Sequence, residues 1–224
     1  MVRDNSPKVR NKRQLARKRT SRASYDRILI VSEGSKTEPN YFKEIRSAYR
    51  LQTANIEVRA SDLGTAPIQV VQYAQSLFEN GDSHKRLQKR AFERVYAVFD
   101  RDEHDSYNQA LSLAKSLDKK LKNDNNQLIS FNAIPSIPCF ELWLLLHYED
   151  IQAPIHRTEV LQRLKHYLPN YEKGTNNAFA NTKQHLELAI LRAQTLTKKF
   201  TAYTNPEPFT DIHVLVQRLT TLGK

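Results

Sequence analysis

The sequence predicts an α/β fold: an open, mostly parallel four-stranded sheet flanked by helices, with a helical C-terminal portion. Three observations lead there. Residues 27–31 and 94–99 (RVYAVF) are short, nearly continuous apolar runs, the composition of strands buried on both faces. Strand and helix patterns alternate from residue 27 to about 148, as a parallel sheet with crossover helices requires. Beyond residue 150 only helical patterns remain.

The first strand stops at Glu33-Gly34. A helix over 38–50 follows, capped by Thr37, with Pro39 in the first turn, where its missing N–H is harmless. Residues 55–60 (NIEVRA) alternate and fit an edge strand with one wet face. The next helix, 67–79, opens at Pro67 and stops at Asn80-Gly81. A helix over 106–122 lines up Ala110, Leu113, Leu117 and Leu121. Residues 127–134 (QLISFNAI) form the fourth strand, ended by Pro135 and Pro138, and Pro138 marks a helix start. Helices follow at 158–168, 181–201 and 210–222, the last closed by Gly223. The predicted division is a basic flexible arm (1–24), an α/β domain (25–150) and a helical portion (151–224) packed beside the sheet.

Composition narrows the function classes. The 224 residues are 39% hydrophobic and 26% charged, as in a folded chain. No apolar stretch approaches the ~20 residues of a membrane helix. The basic N-terminus lacks the apolar segment of a secretory signal. One cysteine, Cys139, excludes an internal disulfide and a cysteine-based zinc site. Together these favour the cytoplasm. Of the net charge of +11, residues 1–22 supply +8, from nine Lys/Arg against Asp4. Such an arm suits phosphate backbones; it equally suits a solvated leader that aids solubility.

In open parallel sheets, ligands bind beyond the carboxyl ends of the strands. The first strand presents Glu33 there, with Gly34 to turn the backbone; the third presents Asp100-Arg101-Asp102. In a strand continuing to residue 102, Asp100 and Asp102 share a face. Were these strands neighbours, three carboxylates would converge, and they repel unless protons or a cation neutralise them. A hard divalent ion, Mg²⁺ with Mn²⁺ as alternative, suits oxygen ligands and a phosphate. The same acids also suit an exposed turn capping the helix at 106. Glu141 is the one charged group between Pro138 and His147, amid apolar residues. It must be protonated, metal-bound, or satisfied by local N–H groups or an arginine. His104 and His147 are candidate bases or ligands, but His104 also reads as a surface loop residue and His147 as a helix-end residue satisfied in the core. Tyr171-Glu172-Lys173-Gly174 reads as a polar turn whose lysine could neutralise a phosphate. The phosphate-binding glycine motifs, H-E-x-x-H and G-x-S-x-G do not occur.

The segments VSEGSKTEPNYF, VFDRDEHD, SIPCFELWLLLHYED and YEKG resemble the RloB family of prokaryotic proteins. The closing NPEPFTDIHVLVQRL resembles that family's C-terminal segment, with a few extra residues between Pro206 and Thr210. The resemblance spans about residues 27–219. It implies a Toprim-type fold, as in topoisomerases, DnaG-type primases and OLD-family nucleases, with Mg²⁺ held by Glu33, Asp100 and Asp102. It further implies a nuclease of antiviral defence acting on DNA or RNA, with a partner ATPase or defence-system subunit as a candidate associate. Glu141 falls in the recurrent FE segment and is assigned an additional acid role, and Lys173 a place near the scissile phosphate. The competing expectation is a non-catalytic nucleic-acid-binding or effector module whose acids only cap loops.

Overall fold

The computed structural model describes residues 25–53, 55–101, 104–202 and 207–222. The arm predicted over 1–24, and the assignments to Asp102 and Gly223, lie outside the described residues.

Among the described residues, five strands form one sheet in the order β2-β1-β3-β4-β5. Strands β1 (Ile28–Ser32), β2 (Ile56–Ala60), β3 (Arg94–Asp100) and β4 (Ser130–Ile137) are parallel, and β2 is the half-wet edge its alternation predicts. The fifth, β5 (Phe209–Thr210), is antiparallel to the end of β4. Two residues are too few for a periodic signal, so the pattern predicts four strands.

Strand β4 also runs past its predicted end at 134, through Pro135. The Pro135 carbonyl accepts the Asp211 N–H at 3.0 Å on the β5 side, whereas the Ser136 carbonyl accepts the Arg101 N–H at 2.9 Å beside β3. The proline ring therefore faces away from β3 and removes no bond from that ladder.

Alternate residues of β1 enter opposite layers: Ile28 and Ile30 join one core, Leu29 and Val31 the other. The second layer holds α2 (Pro67–Asn80) and α3 (Tyr107–Leu117). The first holds α1 (Thr37–Ala48), α4 (Glu141–Leu145), α5 (Arg157–Tyr167), α6 (Ala178–Thr182), α7 (Leu186–Lys199) and α8 (Ile212–Thr221).

Several helix ends depart from the sequence pattern for local reasons. Helix α3 stops at Leu117 because Asp118 turns extended, its carboxylate accepting the Phe131 N–H at 2.9 Å. The helix expected over 181–201 is split by a 3₁₀ turn, Lys183–His185. Thr37 is not the cap of α1; its hydroxyl accepts the Gly174 N–H at 2.9 Å. Pro138 does not open a helix, since α4 begins at Glu141. Among the described residues no helix is long and apolar enough to cross a membrane.

Trp143 lies at the centre of the first layer, and its indole N–H donates to the Tyr41 hydroxyl at 2.8 Å. Tyr41→Phe leaves that buried N–H unpaired. It should lower unfolding free energy by about 1–3 kcal/mol in urea titrations, with the native far-UV spectrum retained.

Candidate functional site

The β1–β3 pairing brings the two predicted strand ends side by side. The Glu33 N–H donates to the Val98 carbonyl at 2.9 Å, and Glu33 Oε2 accepts the Asp100 N–H at 3.0 Å. Backbone and side chain of Glu33 are thus both tied to β3. Asp100 is buried at the end of that strand.

A further acid stands against this pair. Glu38, in the first turn of α1, is buried, and its carboxylate lies over Gly34. A β-carbon at residue 34 would sit 2.1 Å from Glu38 Oε2. The glycine after β1 is therefore explained by the room it leaves for a carboxylate; its φ lies outside the left-handed region, so turn geometry does not require it. Burial, then the negative charges of Glu33 and Glu141, push the Glu38 carboxyl up to about 7. The pattern that finds Glu33 does not signal Glu38, because an acid in a first helical turn is commonplace. The clue available is its position one turn beyond Gly34.

Glu141 opens α4 and is almost wholly buried. Its Oε1 accepts the Tyr171 hydroxyl at 3.2 Å and lies 3.8 Å from the half-exposed Lys173 ammonium. Its Oε2 is buried without a hydrogen-bond partner among the described residues. Burial, then the charges of Glu141 and Asp100, push the Cys139 thiol well above its ordinary range. Burial and Glu141 do the same to the Tyr171 hydroxyl. Tyr171 is thus a buried partner of the acid, not part of a wholly polar turn. The loop that carries it is clasped to α1 by Gly174, whose carbonyl accepts from the Asn40 amide at 3.2 Å.

The structure therefore brings Glu33, Glu38, Asp100, Glu141 and Lys173 into one neighbourhood. His104 is exposed, as predicted. His147 is buried, with Nδ1 3.0 Å from the Trp143 carbonyl, and burial lowers its pKa to about 4. Among the described residues no group of three or more His, Cys, Asp or Glu side chains forms a metal cage. Beside the acids, a cavity of about 510 Å³ is lined by Arg101, His104, His156 and Arg157, with Glu207 3.5 Å from Arg101. Arg101 directly follows Asp100, so cationic lining adjoins the acidic strand ends.

The raised Glu38 pKa fixes the sign of a pH effect. Its protonated form is favoured by folding, so that contribution is complete below the ordinary value near 4.5 and is lost as pH rises through about 7. Without divalent ions, unfolding free energy should fall between pH 5 and pH 8. Glu38→Gln should reduce that fall by up to roughly 3 kcal/mol, read from urea titrations at the two pH values.

A family model described as RloB-like protein matches residues 28–219 of the chain. No curated protein and no solved structure matches it.

Proposed function

The chain belongs to the RloB-like family, and from that membership and the acid cluster we propose a Mg²⁺-dependent, Toprim-type nuclease that hydrolyses phosphodiester bonds, acting in the cytoplasm in antiviral defence. The observation that carries this reading is the gathering of acids at the strand ends: burial, then the charges of Glu33 and Glu141, raises the Glu38 carboxyl. Carboxylates so placed favour a cation or a proton between them. The buried Glu141 Oε2, without a hydrogen-bond partner among the described residues, fits the same need.

Glu33 and Asp100 are the residues that would hold Mg²⁺, with Asp102 completing the set by resemblance. Mg²⁺ requires only one or two carboxylates, the rest of its shell being water and phosphate, so an all-protein cage is not needed. When bound, it would polarise a phosphoryl oxygen and lower the pKa of a water. The chain's own groups supply the rest. Glu38, raised toward neutrality, can hold or release a proton near physiological pH. Lys173 offsets negative charge at the rim beside Glu141. The cavity of Arg101, His104, His156 and Arg157 suits the backbone of the same substrate. The basic residues of the first 22 positions would add salt-sensitive affinity.

The test is incubation of highly purified protein with plasmid, single-stranded DNA and RNA, in Mg²⁺, Mn²⁺ or EDTA. Wild type should cleave at least one substrate only with metal. Glu33→Gln and Asp100→Asn should lose roughly 10²-fold or more of the rate while retaining the native circular dichroism spectrum. Mg²⁺ should also raise the wild-type melting temperature and leave that of Glu33→Gln unmoved. Equal cleavage by all three proteins would refute the assignment, and a pure binding module would show no metal-dependent stabilisation.

A further inference from the structure

A second cavity, of about 490 Å³, is lined in part by Tyr171, whose hydroxyl donates to Glu141, and lies within the usual size range of small-ligand sites. Its lining is aromatic and amide-rich: Tyr148, Tyr167, Asn170, Asn176, Asn181 and Gln184 contribute, and among the described residues none of the lining carries a formal charge. The rings of Tyr148 and Tyr167 are stacked, with centroids 4.6 Å apart and planes at 6°. Tyr167 is 45% exposed. The Asn177 part of the lining is held in place, because Glu44 accepts the backbone N–H groups of Asn177 at 2.5 Å and Phe179 at 2.9 Å.

These properties select the ligand. With no cation among the described lining residues, the cavity is a poor phosphate site, unlike the Arg101–Arg157 cavity. A stacked aromatic pair offers a platform for a flat ring. Side-chain amides carry a donor and an acceptor together, the pattern that reads the edge of a base. A base within a duplex has its stacking faces and pairing edge occupied, so only an unpaired base can enter. Tyr171 lines this cavity and also donates to Glu141, so the ligand would sit one side chain away from the acids.

We infer that this cavity binds an unpaired nucleobase of the strand presented to the acid cluster. The inference rests on the nuclease reading for its placement beside the reaction. It makes the substrate a nucleic acid with a single-stranded segment at the site.

The experiment reads binding without turnover. Fluorescence anisotropy of a labelled ten-nucleotide single strand, as DNA and as RNA, is measured in EDTA at high salt, where phosphate contacts are screened. Wild type should bind at least one of these strands more tightly than an abasic strand of equal length and than a blunt duplex. Tyr167→Ala should weaken binding of that strand by about 5- to 100-fold, the range of one base–aromatic stack. Tyr167→Phe should retain it, and Asn181→Ala, at an exposed position, should weaken it in the same direction. Equal affinity of wild type for intact and abasic strands would overturn the inference, as would undiminished binding by Tyr167→Ala. Base-dependent binding with no metal-dependent cleavage would sink the nuclease reading and leave the base site standing.

Discussion

The bond from the Asp100 N–H to the Glu33 carboxylate is the constraint on which the site depends. It spans two neighbouring parallel strands whose register is set by Ile28 against Arg94 through Ser32 against Val98. Because side chains alternate along a strand, a slip of one residue would exchange the two apolar layers. Burial of β1 on both faces therefore fixes the register, and the register fixes where the acids meet.

The opposite end of the sheet treats charge differently. Before β1, Arg27 pairs with Glu93 and with Asp124. Burial alone would raise the Asp26 carboxyl, but Arg94 and Arg218 overcome it and hold Asp26 below its ordinary value. Acids at the amino end thus meet arginines, whereas Glu38 at the carboxyl end meets other acids. Ion pairing of this kind tethers strand starts without creating reactive groups. The other end retains electrostatic tension in a protected place, the condition that shifts carboxylates toward neutral pH.

Much of this organisation was legible in the residues. Continuous apolar runs marked β1 and β3, and their abrupt polar ends marked Glu33 and Asp100. Glu141 stood out as one charge in an apolar segment and proved almost wholly buried. Local pattern could not deliver what depends on distant chain. Strand β5 exists because the chain returns to β4, and Pro135 remains in its strand because its ring faces away from β3. Glu38 and Tyr171 gain their significance only when α1 and the loop after α5 close over the strand ends.

The clasp between that loop and α1 carries an evolutionary consequence. Gly174 adopts φ +85°, and a β-carbon there would lie 2.9 Å from the Lys36 side chain. The two positions are therefore not independent: a larger residue at 174 would demand both a left-handed backbone and a smaller neighbour at 36. Relatives that keep this loop in place should change the two sites together or not at all. A descendant that lost the glycine alone would be expected to release Tyr171 from Glu141, separating the cavity beside Tyr167 from the acids in a single step.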